Sequence, residues 1–320
     1  MPEARFGVSI QALDAADAVR QIQQAEAAGI EAAWSTIGGA GGDDPLPTFA
    51  AALVQTDSIL LGTAIIQTWP RHPIALAQET LALEALAPGR FRLGIGPAHV
   101  TNMERAFGVD FQAPLTNLRE YLTVLRSLLH TGEVEFEGRH VTARTHIPRT
   151  TTTPVMASAL RPRSFALCGE LADGAISWMC PRRYLVEEAL PAIARGAERA
   201  GRTPPPLVAH VPIVVDEDRG AARELAREQL GRYASIPFYQ RMFEQAGHPD
   251  AAQRFSDALL DDLVISGGEA EVAAGLRALA DAGMGEVLAA PVVDPDDREG
   301  SIARAFAVVA SAATVRSGVS

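Results

Sequence analysis

Eight short apolar segments alternate with helical patterns along this chain, and this alternation constrains the fold more than any other feature. The apolar segments are predicted strands at residues 6–10, 32–35, 60–66, 91–96, 154–160, 174–178, 207–215 and 286–292. Predicted helices lie between them at residues 14–28, 46–55, 73–86, 114–129, 162–171, 181–200 and 217–230. Buried strands separated by helices are typical of parallel sheets, and eight of them favour a closed barrel over an open doubly wound sheet. We therefore predict an α/β fold, a (β/α)8 TIM barrel, with residues 1–320 as a single domain.

Two segments depart from the strict alternation. One is the polar, Thr-rich connection at residues 132–153, and the other is a helical excursion at residues 233–263. Both are long enough to cover the mouth of an active site, although insertions of this kind can also be surface decoration without function. We expect both of them near the carboxyl-terminal ends of the strands.

Composition and charge indicate which kinds of molecule this protein binds. A formal net charge of −11 provides no cationic field for nucleic-acid phosphates, so a small-molecule substrate is the better expectation. The start of the sequence lacks the apolar core of a signal peptide, and the apolar run at 302–315 is interrupted by Arg304 and shorter than the ~20 residues of a membrane span. We expect a cytoplasmic protein that binds neither membrane nor nucleic acid.

The sequence shows no pattern typical of a metal site or a disulfide framework. Cys168 and Cys180 are too few and too far apart, and both are expected to be reduced structural thiols. No histidine, cysteine and carboxylate cluster has metal-ligand spacing, and no GxSxG nucleophile motif occurs. Hydrolase and metal chemistry therefore have no support in the sequence.

Polar and aromatic residues directly after the predicted strands are the candidates for an active site, because barrel enzymes place their chemistry at these strand ends. The candidates are Ser35 and Thr36 after strand two, Ala64, Ile65, Gln67, Trp69 and His72 after strand three, His99 and Asn102 after strand four, Ser158 after strand five, and Trp178 at the end of strand six. Trp69 and Trp178 suggest an aromatic substrate pocket, although both could equally be packing residues. His72 could line that pocket or cap the helix that follows it.

His99 is the candidate catalytic residue. It follows the glycine- and proline-rich end of strand four, and an imidazole with an ordinary pKa near 6.5 can exchange protons at neutral pH. The alternative is a loop histidine that hydrogen-bonds to the backbone. Its position at a strand end favours the functional interpretation.

The turn from Ser158 to Arg163 is a candidate phosphate site. It joins strand five to a helix, where free backbone N–H groups and the positive end of the helix dipole attract anions. Arg161 and Arg163 could add charge-assisted hydrogen bonds. Neither a GxxxxGK[ST] loop nor a complete GxGxxG fingerprint is present, so the two common nucleotide-binding motifs are not supported.

Several motifs together resemble the bacterial luciferase-like monooxygenase superfamily, and within it the branch that uses coenzyme F420. They are Leu61-Gly-Thr-Ala-Ile-Ile66, Arg71-His-Pro73, Ala87-Pro-Gly-Arg-Phe-Arg-Leu-Gly-Ile-Gly-Pro-Ala-His99, and Ser158-Ala-Leu-Arg-Pro162 with Leu171-Ala-Asp-Gly174. The similarity runs from residue 6 to about residue 291. It implies a barrel that holds F420, or alternatively FMN, at the strand ends, and a homodimer.

The resemblance also assigns residues. It implies a bulge at Ala64-Ile65 behind the cofactor ring, with a non-prolyl cis peptide bond between these two residues. It places the cofactor phosphate at Ser158, Ala159, Leu160 and Arg161. Ser35, Thr36, Gln67 and Asn102 complete the expected cofactor contacts.

Two departures from the family pattern bear on function. Many relatives have glycine at the position of Arg161, where the guanidinium could either replace a backbone contact with phosphate or crowd it. Alcohol-oxidising relatives place an acid or a histidine after strand two, where this chain has Ser35-Thr36. We therefore expect hydride transfer between the deazaflavin C5 and a small organic substrate in the reductive direction, with His99 polarising the unsaturated or carbonyl group or donating a proton.

Two other functions remain open at this point. One is an FMN-dependent monooxygenase, which would use reduced flavin and oxygen. The other is a noncatalytic barrel that binds flavin or F420.

Overall fold

A computed structural model describes residues 4–36, 42–251 and 253–317, and it has a closed parallel barrel at its centre. The strands in this part of the chain are β1 (Arg5–Ser9), β2 (Ala32–Ser35), β3 (Leu60–Thr63), β4 (Ile66–Gln67), β5 (Phe91–Gly96), β6 (Glu133–Glu137), β7 (Thr142–His146), β8 (Val155–Ser158), β9 (Gly174–Trp178), β10 (Leu207–Val215), β11 (Ile265–Gly267) and β12 (Glu286–Pro291). Strands β1, β2, β3, β5, β8, β9, β10 and β12 pair in this order, all in parallel, and β12 pairs with β1 to close the barrel. The predicted (β/α)8 TIM barrel is confirmed.

Helices surround the barrel. They are α1 (Ala15–Ala27), α2 (Pro45–Leu53), α3 (Pro73–Leu86), α4 (Val100–Phe107), α5 (Pro114–Thr131), α6 (Pro162–Leu171), α7 (Arg182–Tyr184), α8 (Leu190–Arg199), α9 (Arg219–Leu230), α10 (Pro237–Gln245), α11 (Asp257–Leu263), α12 (Glu269–Asp281) and α13 (Arg298–Ser317). A π turn joins α7 to α8, and 3₁₀ turns at Gly231–Ser235 and Pro295–Asp297 precede α10 and α13. The main apolar core lies between the barrel and these helices.

The barrel interior contains a second, smaller core. Trp34, Met156, Ile176, Val208 and Leu288 pack together there, and each comes from a different strand. Gly62 on β3 makes room for the indole, because a Cβ at this position would collide with the ring of Trp34. Residues that alternate along each strand thus fill the barrel in layers, as the period of two requires.

A buried ion pair lies beside this inner core. Arg92 on β5 pairs with Glu286 on β12, and the two residues are only 7% and 3% exposed. Trp34 Nε1 donates a hydrogen bond of 2.6 Å to Glu286 Oε1, and the guanidinium of Arg92 lies 4.4 Å from the centroid of the indole. The carboxylate is therefore compensated by both a cation and an N–H donor, as a buried charge must be.

The predicted third strand is divided in the structure. The peptide bond between Ala64 and Ile65 is cis, as expected, and it separates β3 from β4. Beyond this point the chain pairs with β5 through Ile66 and Gln67. The bulge implied by the resemblance is confirmed at these residues.

The two predicted insertions, residues 132–153 and 233–263, differ in structure and in position. Residues 132–153, predicted only as a polar connection, form the antiparallel hairpin β6–β7. Glu120 on α5 anchors the hairpin turn by accepting hydrogen bonds from the N–H groups of Arg139, His140 and Val141 at 2.9, 2.7 and 3.0 Å. The later excursion contains α10 and α11, and its first half lies over the carboxyl-terminal end of the barrel.

The sequence analysis missed β11 and the helices α4, α12 and α13. Strand β11 has only three residues and extends the sheet beside β10. In the part of the chain that the structure describes, no helix is both long and apolar enough to cross a membrane.

Candidate active site

A cavity of about 1520 Å³ opens at the carboxyl-terminal ends of the barrel strands. Most of the predicted site residues lie on its wall: Thr36, Ala64, Ile65, Gln67, His99, Asn102, Ser158, Ala159, Leu160, Arg161 and Trp178. They come from five loops that are distant in sequence and adjacent in the barrel. Gly96 on β5 makes room for the side chain of Ser158, because a Cβ at this position would collide with the Ser158 hydroxyl.

Three predicted residues do not line this cavity, and their expected roles are corrected. Ser35 lies behind the wall, where its carbonyl accepts a hydrogen bond of 2.8 Å from the N–H of Ala64 at the bulge. Trp69 does not line the cavity itself. Its ring packs against Phe111, which does line it, and against His140 in the turn of the β6–β7 hairpin, at centroid distances of 5.1 and 5.2 Å.

His72 is the third. Its Nδ1 accepts a hydrogen bond of 3.2 Å from the N–H of Ile74, and so caps the first turn of α3. Its Nε2 lies 3.2 Å from the carbonyl of Thr142 on the hairpin. The capping alternative is therefore the one that the structure shows.

His99 lies at the turn from β5 into α4, and the conformation of this turn aims it into the cavity. Ala98 adopts a left-handed conformation with φ of 58°, and His99 then serves as the N-cap of α4 without a capping hydrogen bond from its side chain. Its ring faces those of Tyr233 and Tyr239, at centroid distances of 6.3 and 5.8 Å. The imidazole is thus free to contact a ligand.

Burial lowers the pKa of His99 below its ordinary value, and the nearby charge of Arg232 lowers it further. Both effects disfavour the imidazolium form. At neutral pH the ring is neutral, and it can donate or accept one hydrogen bond at each nitrogen.

The residues facing His99 belong to a segment that covers the cavity, which we call the roof segment, residues 231–245. It comprises the 3₁₀ turn Gly231–Ser235 and helix α10. Tyr233 contacts both Trp178 at the end of β9 and Tyr239, with centroid distances of 6.0 and 4.9 Å. Of the predicted insertion 233–263, the first part therefore lines the cavity, whereas the described residues of 246–263 and the hairpin residues 132–153 do not.

The sequence analysis missed His210, which also lines the cavity. Its ring lies 4.4 Å from that of Trp178, and its Nε2 is buried without a hydrogen-bond partner. Burial lowers the pKa of His210 to about 3, so the ring is neutral. The sequence contains an indication of this role. In the apolar run 207–215, His210 comes two residues after Val208 and therefore lies on the same face of the strand, and the side chain of Val208 belongs to the inner core of the barrel.

The candidate phosphate site is built differently from the expectation. The N–H groups of Ala159, Leu160 and Arg161 are already used inside the turn, where the first donates to the carbonyl of Ile176 at 2.9 Å and the other two to Ser164 Oγ at 3.1 Å. Free backbone donors were expected along the turn from Ser158 to Arg163, and the N–H groups of these three residues are not free. The guanidinium of Arg161 has a buried Nε without a partner, so a side chain supplies the unsatisfied donor.

The charged side chains of the cavity wall are mostly cationic. Arg161, Arg163 and Arg232 line it together with the single carboxylate of Glu228. Among the described residues none of these three arginines forms an ion pair, although the chain as a whole is strongly acidic. The cavity is therefore suited to an anionic ligand.

The two cysteines do not line this cavity. Cys168 and Cys180 are buried and unpaired, and burial raises the pKa of each to about 12. Within residues 4–36, 42–251 and 253–317, no group of three or more histidine, cysteine and acidic side chains is arranged to hold a metal ion.

Comparison with curated proteins identifies relatives. The chain is 31% identical over 229 residues to the F420-dependent glucose-6-phosphate dehydrogenase of Beutenbergia cavernae, covering 68% of this chain and 67% of that protein. It is 29% identical over 224 residues to an uncharacterized protein of Mycobacterium tuberculosis, covering 65% of this chain and 66% of that protein.

Solved structures share the fold over nearly the whole chain. An F420-dependent secondary alcohol dehydrogenase in complex with an F420-acetone adduct superposes with a TM-score of 0.81 at 21% identity, covering 97% of this chain and 99% of that one. The oxygenating constituent of 3,6-diketocamphane monooxygenase from Pseudomonas putida, solved with FMN, gives a TM-score of 0.70 at 17% identity, covering 96% and 97%.

A family profile agrees with these similarities. It describes luciferase-like monooxygenases and matches residues 3–286. With most of the chain inside this match, the protein belongs to the luciferase-like monooxygenase family.

Proposed function

We propose that this protein is an F420-dependent oxidoreductase that reduces a small organic substrate. The name of the Beutenbergia relative and the F420 adduct of the alcohol dehydrogenase support the choice of cofactor. When bound, reduced F420 supplies a hydride. The chain itself has to hold the cofactor, shelter the substrate and deliver a proton.

The cavity wall offers complementary surfaces for such a cofactor. The Ala64-Ile65 bulge gives an apolar support for a flat ring, and Gln67 lies beside it as a buried amide. Ser158, Arg161 and Arg163 would hold the phosphate with side-chain donors. The buried, unpartnered Nε of Arg161 is the observation that fits an oxyanion best, since an unsatisfied buried donor is costly without a ligand.

The position of His99 is the observation that carries the proposed reaction. It lies on the wall near the bulge, under the roof segment, and the lowered pKa makes its imidazolium a stronger acid and its neutral form a weaker base. A weak base is poorly suited to removing a proton from an alcohol, whereas a strong acid suits protonation of a reduced substrate. The substrate gains the hydride at one atom, and the imidazolium form of His99 supplies the proton at the other. Because the ring is neutral at neutral pH, it first takes up this proton from solvent.

The roof segment would exclude water from this reaction. Tyr239 is buried and its pKa lies well above 10 because of that burial, so it remains a neutral phenol beside His99. A sheltered cavity strengthens the hydrogen bonds made within it.

FMN-dependent monooxygenation is the second candidate, since the diketocamphane monooxygenase has the same fold and was solved with FMN. Titration of the purified protein with F420 and FMN, each oxidised and reduced, separates the two. We expect tight, selective binding of F420. Preference for FMN would replace the proposal by a monooxygenase, and failure to bind either cofactor would overturn both enzymatic functions.

A further inference from the structure

One side of the cavity is an almost continuous aromatic wall. The rings of Trp178, His210, Tyr233, Tyr239 and His99 form a chain of contacts with centroid distances between 4.4 and 6.3 Å. All five residues line the cavity. Since both histidines are neutral, this wall presents flat, uncharged rings to a ligand.

A single cation lies at the edge of this wall. Arg232 is exposed, and its guanidinium carbon lies 5.4 Å from the ring centroid of Tyr233, a cation–π contact that favours this orientation of the side chain. Among the described residues no carboxylate pairs with Arg232, and Glu228, the nearest acid in sequence on the cavity wall, forms no ion pair with it. A prepositioned planar guanidinium binds a carboxylate with two parallel hydrogen bonds at reduced entropic cost.

The other cavity arginines lie elsewhere. Arg161 and Arg163 belong to the turn after β8, where the cofactor phosphate is proposed, whereas Arg232 belongs to the roof segment after β10. Cofactor and substrate would therefore each have their own cation. Arg232 thus comes from a different element of the cavity wall than the two arginines of the proposed phosphate site.

We propose that the substrate is an aromatic or conjugated carboxylate, whose flat body packs on the aromatic wall and whose carboxylate pairs with Arg232. This inference rests on the proposed function only in treating this part of the cavity as the place of the substrate. A small molecule without an apolar face would leave the wall without apolar contact.

Binding of trans-cinnamate, its neutral analogue cinnamamide and the aliphatic hexanoate tests the proposal. Each affinity is measured by calorimetry on the full chain, with and without saturating F420. We expect cinnamate to bind about tenfold more tightly than cinnamamide, which lacks the charge, and about threefold more tightly than hexanoate, which lacks the ring. Equal binding of cinnamate and cinnamamide, or of cinnamate and hexanoate, would overturn it.

Two variants test whether Arg232 and Tyr233 bind cinnamate, and a third serves as the control. Arg232→Gln should weaken cinnamate about tenfold and leave cinnamamide unchanged, whereas Arg241→Gln, an exposed arginine on the same roof segment, should change neither. Tyr233→Leu should weaken cinnamate more than hexanoate. An Arg232→Gln protein that binds cinnamate like the wild type contradicts the assignment.

The experiment also separates the two proposals. If F420 fails to bind but cinnamate binds through Arg232, the proposed function fails while the ligand class of the wall stands. If F420 binds but none of the charge and ring preferences appears, the substrate class fails alone.

Discussion

The rings of His99 and Tyr239 lie 5.8 Å apart, one from the end of β5 and the other from the roof segment after β10. The two residues are 140 positions apart in sequence and meet only because the roof segment lies over the barrel mouth. Their proximity buries His99, and burial is the larger of the two causes that lower its pKa.

The first prediction concerns the pH dependence of reduction. If His99 donates the proton, activity requires its imidazolium form, whose population grows as the pH falls below 6.5 towards the lowered pKa. We therefore expect kcat/KM to rise as the pH falls through this region. In His99→Gln the rise should disappear and the rate should fall about 10²-fold or more.

Arg232→Gln provides a second measurement of the same effect. Because the positive charge of Arg232 lowers the pKa of His99, its removal should raise that pKa and move the rise in activity to higher pH. NMR titration of the His99 ring would report the same increase in its pKa.

The outcome that contradicts the role of His99 comes from His99→Gln. An unchanged pH profile of this variant with a good substrate would remove His99 from the reaction.

The second prediction concerns Arg161. If its buried Nε meets the cofactor phosphate, Arg161→Ala should weaken F420 binding about tenfold or more, as expected for a hydrogen bond to a charged group. Arg149→Ala removes an exposed arginine outside the cavity and should leave the affinity unchanged. Tighter binding in Arg161→Ala would mean that the guanidinium crowds the site instead.

The third prediction concerns the ion pair inside the barrel. Arg92→Met would leave the carboxylate of Glu286 buried with the indole N–H of Trp34 as its remaining donor among the described side chains, so the free energy of unfolding should fall by about 3–5 kcal/mol. Arg219→Met breaks the exposed pair with Glu271 and should have little effect, because solvent screens that pair. Urea unfolding of both variants tests this difference, and equal losses would contradict it.

The fourth prediction concerns His210 and acid stability. The unfolded chain protonates this residue near pH 6.5, but burial keeps it neutral in the folded protein down to about pH 3. The unfolded state therefore binds the extra proton, and stability should fall as the pH falls, by about 1.4 kcal/mol per pH unit from this residue. Measurements between pH 6.5 and 5 avoid the range in which carboxyl groups titrate.

His210→Leu should reduce that slope, whereas replacement of the exposed His146 by glutamine serves as the control. The difference between wild type and His210→Leu isolates the contribution of this residue from that of His99. Identical slopes in the two proteins would show that His210 becomes protonated in the folded state.

Much of the barrel could be predicted because its local signals agree with its tertiary structure. Strands such as β5 and β10 are mostly apolar on both faces, since both faces are buried, and proline marks the start of helices such as α3. The cis bond at Ala64-Ile65 was predicted from family resemblance and not from the residues themselves.

The hairpin β6–β7 was missed because its stability does not come from its own sequence. Its strands are short and half exposed, and their turn is held by Glu120, which lies on a different element. A two-stranded hairpin needs such outside packing.

What the sequence alone determined is the succession of strands and helices, the closed barrel and the end of the barrel at which polar side chains gather. Only the tertiary structure decided which of these side chains share the cavity. In the structure Trp69, His72 and Ser35 do not line the cavity. His210, Tyr233 and Tyr239 do line it. The unsatisfied donor at the proposed phosphate site belongs to an arginine side chain. The physical reason is that periodicity fixes which face of an element is buried, whereas the contacts across a barrel mouth depend on how loops from distant strands pack against one another.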